Sequence, residues 1–185
     1  MTARRPSTLA FVFTIEAVDP SDPVADRIIR AYMADVASRW YGRPATTEEV
    51  DQALIDEPYD DLRGRFGALL IALEAGHGIG CAGVRFTGDY AELTKFFTLP
   101  DHRGRGVGSR LLQEIERTCG ARAVGTIRLD TRAELKEACA LYERSGFERV
   151  DAFNDEPYSD RWYTKPLNQS VLQPILDRAL DVRRK

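Results

Sequence analysis

The stretch FFTLPDHRGRGVGSRLL, residues 96–112, decides the fold, because a strand pattern runs here through a glycine-rich turn into an amphipathic helix. Glycine lets the backbone come close to a ligand, and the free N–H groups of a first helical turn bind phosphate oxygens. The stretch therefore predicts an anion-binding turn, with a solvent-exposed turn as the alternative. It is not a Walker loop, because no Gly-Lys-Ser/Thr follows, nor a dinucleotide-binding loop, because Ser109 replaces the third glycine.

Upstream of this turn, periodicity and capping residues predict strands and two helices. Asp22 with Pro23 begins the first helix, which continues to Trp40. The second helix begins at Thr46 or the residue after it, in a capping box, and ends before Glu57. Short turns make the last three strands antiparallel neighbours. The predicted strands are residues 9–18, 68–73, 79–86 and 90–99.

Downstream of the turn, helices alternate with strands, which gives an α/β chain of the α+β type. The predicted elements are a helix at 107–119, a strand at 126–130, a helix at 134–144 and strands at 147–153 and 159–165. An apolar stripe from Val171 to Leu180 predicts a terminal helix, packed on the domain or forming a dimer contact.

Composition narrows the function classes. The chain has 185 residues, with 26 Lys and Arg against 29 Asp and Glu, a net charge of −3. This length predicts one domain with a small extension. The acidic balance argues against a nucleic-acid partner, since phosphate binding needs a basic face. No apolar run approaches the about 20 residues that span a bilayer, so a membrane partner is not expected.

Cysteine and histidine usage predicts a cytoplasmic protein without a metal. Cys81, Cys119 and Cys139 lie in apolar patterns, which is typical of buried thiols in a reducing compartment. Two histidines and no paired cysteine spacing give no pattern for a metal site.

Two motifs resemble the GNAT acetyltransferase superfamily. Arg103, Gly106 and Gly108 match Gln/Arg-x-x-Gly-x-Gly/Ala, and ACALYERSGF at 138–147 resembles Ala-x-x-Leu-Tyr-x-x-x-Gly-Phe. The resemblance is strong over 68–167, and the preceding elements match in order. It implies the GNAT fold, a central mixed, mostly antiparallel sheet of about seven strands flanked by helices. The domain then spans 1–167, with a C-terminal helical extension at 168–185.

The resemblance implies acetyl-CoA as the acyl donor. The amides of residues 104–109 would hold its pyrophosphate, and backbone groups of Phe96, Phe97 and Thr98 would pair with its pantetheine as an added strand pairs with an open sheet edge. Leu135 stands where many members carry an asparagine that contacts this cofactor, so that contact is lost or replaced. The implied cofactor-binding residues are Phe96, Phe97, Thr98, Arg103, Gly104, Arg105, Gly106, Val107, Gly108 and Ser109.

Three side chains are candidates for proton transfer, because an amine is mostly protonated at neutral pH and its attack needs a base or a water chain. Glu92 lies where some members keep a catalytic glutamate, and its alternative role is an ion pair with Lys95, Arg85 or another base. Asp130 ends a strand where other members place an acidic base, and its alternative is a helix cap. Tyr142 matches the residue that donates a proton to the CoA thiolate, with a core aromatic as the alternative.

The resemblance implies an N-acetyltransferase that acts on a primary amine of a small molecule, amino acid or peptide in a ternary complex, as a monomer or homodimer. The acceptor pocket would include Trp40, Tyr41, 56–61 and 158–163, whose aromatic and acidic side chains suit a cationic amine. Residues 56–61 are equally typical of a solvated loop. The alternatives are a catalytically silent acyl-CoA sensor, or a transferase for longer acyl groups or hydroxyl acceptors.

Overall fold

A single mixed sheet organises the part of the chain that the computed structural model describes, residues 12–167. The strand order is β1-β2-β3-β4-β5-β7-β6, and each neighbouring pair is antiparallel except β4 with β5. This confirms the predicted mixed, mostly antiparallel sheet of about seven strands. The strands are β1 (Thr14–Ala17), β2 (Gly67–Glu74), β3 (His77–Phe86), β4 (Ala91–Thr98), β5 (Thr126–Thr131), β6 (Glu148–Val150) and β7 (Arg161–Pro166).

The helices begin where their capping residues predict. The Asp22 carboxylate accepts the Val24 N–H at 2.8 Å, and Thr46 with Glu49 forms a complete capping box. Gly42, with φ of 64°, ends the first helix in the left-handed conformation. The helices are α1 (Pro23–Tyr41), α2 (Thr47–Asp56), α3 (Val107–Gly120) and α4 (Lys136–Arg144).

The sheet separates two apolar layers, because alternate residues of a strand face opposite sides. Leu69 and Ile71 of β2 pack in the layer that contains Ile28, Ile29 and Met33 of α1. The neighbours of these β2 residues, Leu70 and Ala72, belong to the other layer, where α3 supplies Leu111, Leu112 and Ile115. The candidate site lies at the end of the sheet near the start of α3, where neither apolar layer covers the strands.

Some predicted boundaries are wrong. The strand expected at 147–153 ends at Val150, and residues 151–160 form a connection without a helix or strand. The helix expected from residue 134 begins two residues later, because the Leu135 N–H donates to Arg132 O at 3.0 Å and closes a turn before the helix. Residues 9–11 of the opening strand and the predicted helix at 168–185 lie outside the described residues.

The parallel pair β4 and β5 creates the opening that positions the site. The two strands pair only where Ala91 faces Ile127 and Glu92 faces Arg128, although both strands continue beyond these pairs. In β4 the pairing with β3 is interrupted at a bulge, and Lys95 there adopts a φ of 50°. The second half of β4 therefore presents an unpaired edge towards β5.

Candidate active site

A cavity of about 670 Å³ lies where β4 and β5 diverge. Its walls come from α1, α2 and residues 57–61 after it, β3, β4, β5, α4 and the 151–160 connection, so distant parts of the chain converge on it. Glu92, Asp130 and Tyr142 all line this cavity, which we call the acceptor cavity. The structure thus brings together the three side chains that the sequence singled out for proton transfer.

The turn at 103–109 has the features of an anion cradle. Gly104 and Gly106 have φ values of 74° and 83°, and no atom lies within 4 Å of the position that a Cβ on either would occupy. Within residues 12–167, the N–H groups of Gly106, Val107, Gly108 and Ser109 donate to no acceptor. Four adjacent donors at the N-terminus of a 14-residue helix therefore face open space.

Gly108 serves a different purpose, because it lets α3 approach α4 and β4. A Cβ at this position would lie 2.8 Å from Leu141 Cδ2 and 3.4 Å from Phe96 Cζ. The third residue of the motif is therefore small for packing, whereas Gly104 and Gly106 are required by their positive φ.

A smaller groove of about 90 Å³ adjoins the acceptor cavity between β4 and α4. Leu99 N–H donates to Ile79 O of β3 at 3.0 Å, and backbone groups alternate in direction along a strand. Phe97 therefore faces β3 with its backbone, while Phe96 and Thr98 face the groove. Of the three predicted backbone partners, Phe97 has its main chain turned towards β3, and its side chain lines the groove.

Arg103 contacts acidic side chains as well as β4. Its Nε donates to Thr98 O at 3.1 Å, and its terminal nitrogens lie 3.2 Å from Glu137 Oε1 and 3.4 Å from Asp35 Oδ1. Arg39 contacts the same two carboxylates at 2.6 and 2.9 Å. These four charged side chains join α1, the turn and α4, so the Arg103 guanidinium is already engaged at the rim of the groove.

Leu135 lines both the groove and the acceptor cavity. Because a leucine side chain has no hydrogen-bonding group, the contact that an asparagine makes at this position in many members is replaced here by apolar surface. Ala138 of α4 continues this apolar wall between the two spaces.

Tyr142 is buried, with 4% of its surface exposed, in a cluster with Phe96, Phe147 and Tyr163 whose ring centroids lie 5.5–5.9 Å away. Its hydroxyl has no hydrogen-bond partner among the residues described, although the side chain lines the acceptor cavity. Burial raises the pKa of the Tyr142 phenol well above its ordinary value. The residue is thus both a core aromatic and a protonated donor at the cavity.

Glu92 pairs with a base that its register predicts. Its carboxylate lies 3.5 Å from Arg128, the residue opposite it on β5. Arg128 also donates to the Tyr90 hydroxyl at 2.5 Å and lies over the ring of Phe153. The alternative of an ion pair with a basic neighbour is therefore present, but the neighbour is Arg128, because Arg85 and Lys95 contact other carboxylates.

Asp130 is held by two neutral donors. Asn154 Nδ2 donates to one oxygen at 3.1 Å, and the Ser159 hydroxyl donates to the other. Asn154 is oriented in turn by Trp162 Nε1, which donates to its side-chain oxygen at 2.6 Å. The interpretation of Asp130 as a helix cap is wrong, because these donors come from the 151–160 connection and not from the start of α4.

Lys95 is the functional candidate that the sequence analysis missed. Its side chain is 2% exposed, and Nζ lies 2.6 Å from Glu57 Oε2 and 5.7 Å from the centre of the Tyr32 ring. Burial lowers the pKa of Lys95. A lysine at an alternate position of β4 that is otherwise apolar, with Ala91, Leu93 and Phe97, was the available signal. Its partner, however, lies 38 residues earlier in the chain.

The cysteines and the potential metal ligands contribute no further catalytic group to the described site. Burial raises the pKa of Cys119 to about 12 and also raises that of Cys81, whereas Cys139 is only half-buried. No group of three or more potential metal ligands occurs within the described part of the chain. In the same residues, no helix is long and apolar enough to cross a membrane.

A splayed sheet, an anion cradle and an adjoining cavity are together typical of an acyl-transfer class of protein. Comparison with known proteins gives the same class. A family model described as "Acetyltransferase (GNAT) family" matches residues 31–147. An uncharacterised N-acetyltransferase of Escherichia coli K12, YjgM, is 36% identical over 138 residues, 70% of this chain and 78% of that protein. The chain belongs to the GNAT acetyltransferase family, as the motifs predicted.

Solved structures with low identity show the same fold. A GNAT-family acetyltransferase from Staphylococcus aureus Mu50 superposes with a TM-score of 0.69 at 16% identity, over 85% of this chain and all of that one. The PaiA N-acetyltransferase from Thermoplasma acidophilum, solved in complex with coenzyme A, gives a TM-score of 0.64 at 17% identity, over 83% and 99% of the two chains. These similarities confirm the predicted sheet architecture.

Proposed function

We propose that this protein is an N-acetyltransferase that transfers an acetyl group from acetyl-CoA to a primary amine of a small molecule, an amino acid or a peptide. One observation carries the proposal, namely the continuity between the free amides at the start of α3, the groove along β4, and the cavity that contains Tyr142. This path fits a ligand that has a diphosphate at one end and an acyl thioester at the other.

The residues at the cradle fit the diphosphate. Gly106, Val107, Gly108 and Ser109 would donate their amide N–H groups to phosphate oxygens. The absence of side chains at Gly104 and Gly106 leaves the space beside these amides open. The pantetheine would add as an extra strand along the free edge of β4, at Phe96 and Thr98. Acetyl-CoA supplies the activated acetyl group, and the apolar surface of Leu135 would lie against its arm.

Proton transfer is assigned to side chains of the acceptor cavity. The ammonium first loses a proton to a base. Attack by the amine nitrogen then forms the C–N bond of the amide and breaks the C–S bond, so the nitrogen loses a second proton and the thiolate gains one. Glu92 and Asp130 are the candidate bases, directly or through water. Tyr142, whose hydroxyl lacks another partner within residues 12–167, would donate its proton to the thiolate and regain one from the proton that the nitrogen releases.

Release of free thiol from acetyl-CoA in the presence of amines tests this function. We expect acceptor-dependent thiol release that disappears when the amine is replaced by the corresponding alcohol. CoA binding without release for any acceptor would contradict the proposal and favour an acyl-CoA sensor. Faster release from longer acyl-CoA donors, or with hydroxyl acceptors, would favour a different transferase.

The family resemblance also supports the proposed domain organisation, with the catalytic domain at 1–167 and an extension at 168–185. The free cysteines are consistent with the cytoplasm as the proposed location.

A further inference from the structure

The acceptor cavity is strongly acidic. Eight carboxylate side chains line it, against three cationic ones, Arg85, Lys95 and Arg132. Each cation already has a carboxylate partner, at 2.7 Å for Arg85 with Asp61 and 2.6 Å for Lys95 with Glu57. Two of the carboxylates, Glu49 and Glu92, are paired with Arg43 and Arg128, which do not line the cavity. The carboxylates are Glu49, Asp56, Glu57, Asp60, Asp61, Glu92, Asp130 and Glu156.

The excess of negative charge affects the pKa of Glu156. Partial burial raises its pKa, and the negative charges of Asp130, Glu57 and Glu92 raise it further. Its carboxylate has no hydrogen-bond or ion-pair partner anywhere in the described 12–167 range. Glu156 is an exposed residue that lines the cavity, so its carboxylate is solvated and accessible to a cation that binds there.

Aromatic rings at the cavity wall favour the same kind of ligand. Trp40 and Tyr158 form an edge-to-face pair with ring centroids 5.2 Å apart, and about half of each side chain is exposed. The guanidinium of Arg132 already stacks over Trp40 at 4.7 Å. Exposed rings beside carboxylates are suited to ammonium groups.

Tyr142 marks the reacting end of the cavity independently of the acidic residues. It is more than nine-tenths buried, its hydroxyl has no partner in the described residues, and it lines the cavity beside the groove of β4. The hydroxyl is not among the fully buried polar atoms, so it is accessible from the cavity and a ligand there can complete its hydrogen bonding.

We propose that the acceptor carries at least two ammonium groups, as a linear diamine or polyamine does, with one amine acetylated beside Tyr142 and the other bound by carboxylates that include Glu156. This inference rests on the proposed function and narrows its acceptor. A zwitterionic amino acid is disfavoured, because its carboxylate would meet an excess of negative charge and its nearest buried cation, Lys95, is neutralised by Glu57.

Acceptors that differ only in their distal group test this inference. We expect 1,5-diaminopentane to have a kcat/KM about tenfold or more above that of 1-aminopentane, and 5-aminopentanoate to be the poorest of the three. Added salt should reduce the advantage of the diamine, since screening weakens its distal contact. Equal rates for the diamine and the monoamine, or a preference for 5-aminopentanoate, would overturn the inference.

A variant outside the proton-transfer residues sharpens the test. Glu156→Gln should raise KM for 1,5-diaminopentane about three- to fivefold and that for 1-aminopentane by a clearly smaller factor, because the monoamine has no distal charge. Glu148→Gln, an exposed residue on β6 that does not line the cavity, is the matched control. An equal effect of Glu156→Gln on both amines would contradict a role in binding the distal charge.

The two proposals fail in distinguishable ways. If no amine releases thiol from acetyl-CoA, the proposed function itself is wrong. If amines are acetylated without regard to a second positive charge, the transferase remains and only the acceptor class is wrong.

Discussion

The cradle at 103–109 and the acceptor cavity are two halves of one site that are built in different ways. The cradle consists of consecutive main-chain amides whose position follows from a strand, a turn and a helix start. The cavity consists of side chains that come from many separate parts of the chain. A site made of backbone can be identified from a short motif, whereas a site made of dispersed side chains becomes visible only when the fold assembles it.

The largest effect is expected from a substitution that blocks the backbone half. Gly106→Glu puts a negative side chain into the open space beside four free amides, and should weaken CoA binding about 100-fold or more by bulk and repulsion. Gly88→Glu is the matched control, since Gly88 has the same φ of 83° and equally open surroundings in the β3–β4 turn. Comparable CoA affinities for the two variants would place the phosphates elsewhere.

The side-chain half is tested next by removing one oxygen. Tyr142→Phe keeps the ring packing and should lower kcat about tenfold or more while CoA affinity is kept. Tyr163→Phe removes a hydroxyl from the same aromatic cluster, one that donates to Glu143 at 2.9 Å and does not line the cavity. If the two variants have the same steady-state kinetics, Tyr142 has no role as the acid.

Removing either partner of the Lys95–Glu57 pair in the cavity wall should change the stability of the fold by different amounts. Glu57→Gln leaves a buried ammonium without its carboxylate and should lower the free energy of unfolding by about 2 kcal/mol. Lys95→Met keeps the volume, removes the buried charge and should change it by less than about 1 kcal/mol.

Urea denaturation measures both changes in the Lys95–Glu57 pair. Glu114→Gln breaks the exposed pair with Arg117 and serves as a control, expected to lie within about 0.5 kcal/mol of the wild type. A larger loss for Lys95→Met than for Glu57→Gln would show that the ammonium stabilises the fold.

The smallest effect concerns α2, which forms one wall of the cavity. A hydrogen bond from Arg43 and another from the Thr46 N–H lower the pKa of Glu49 from 4.5 to about 2. The contribution of these hydrogen bonds to the free energy of unfolding is therefore fully present above pH 4.5 and is lost as the pH falls through about 2. Unfolding followed across this range should show a steeper acid loss for the wild type than for Glu49→Gln, and parallel curves would contradict the pairing.

A structural feature could be predicted from the sequence where the residues that determine it are close together in the chain. The Asp22 cap, the Thr46 capping box and the Gly106 turn depend on neighbouring residues, so the elements around them were predicted correctly. The divergence of β4 from β5 depends on a bulge at Lys95, which alternation alone does not reveal.

Partners in the side-chain half were the least predictable. Arg128 is the partner of Glu92 because two strands distant in sequence align in parallel, and Asp130 is held by residues 24 and 29 positions later in the chain. Motif matching placed Glu92, Asp130 and Tyr142 near one another, but not the donors that hold them. The acidic surplus of the cavity was visible only in part, because just residues 56–61 form a local run.

Amide chemical shifts recorded while CoA is added test the central claim most directly, because they report on individual main-chain N–H groups. The account predicts that the largest changes occur at residues 104–109, with smaller ones at Phe96 and Thr98 along the free edge of β4. Saturable binding that leaves these amides unshifted and moves those of another surface would contradict it.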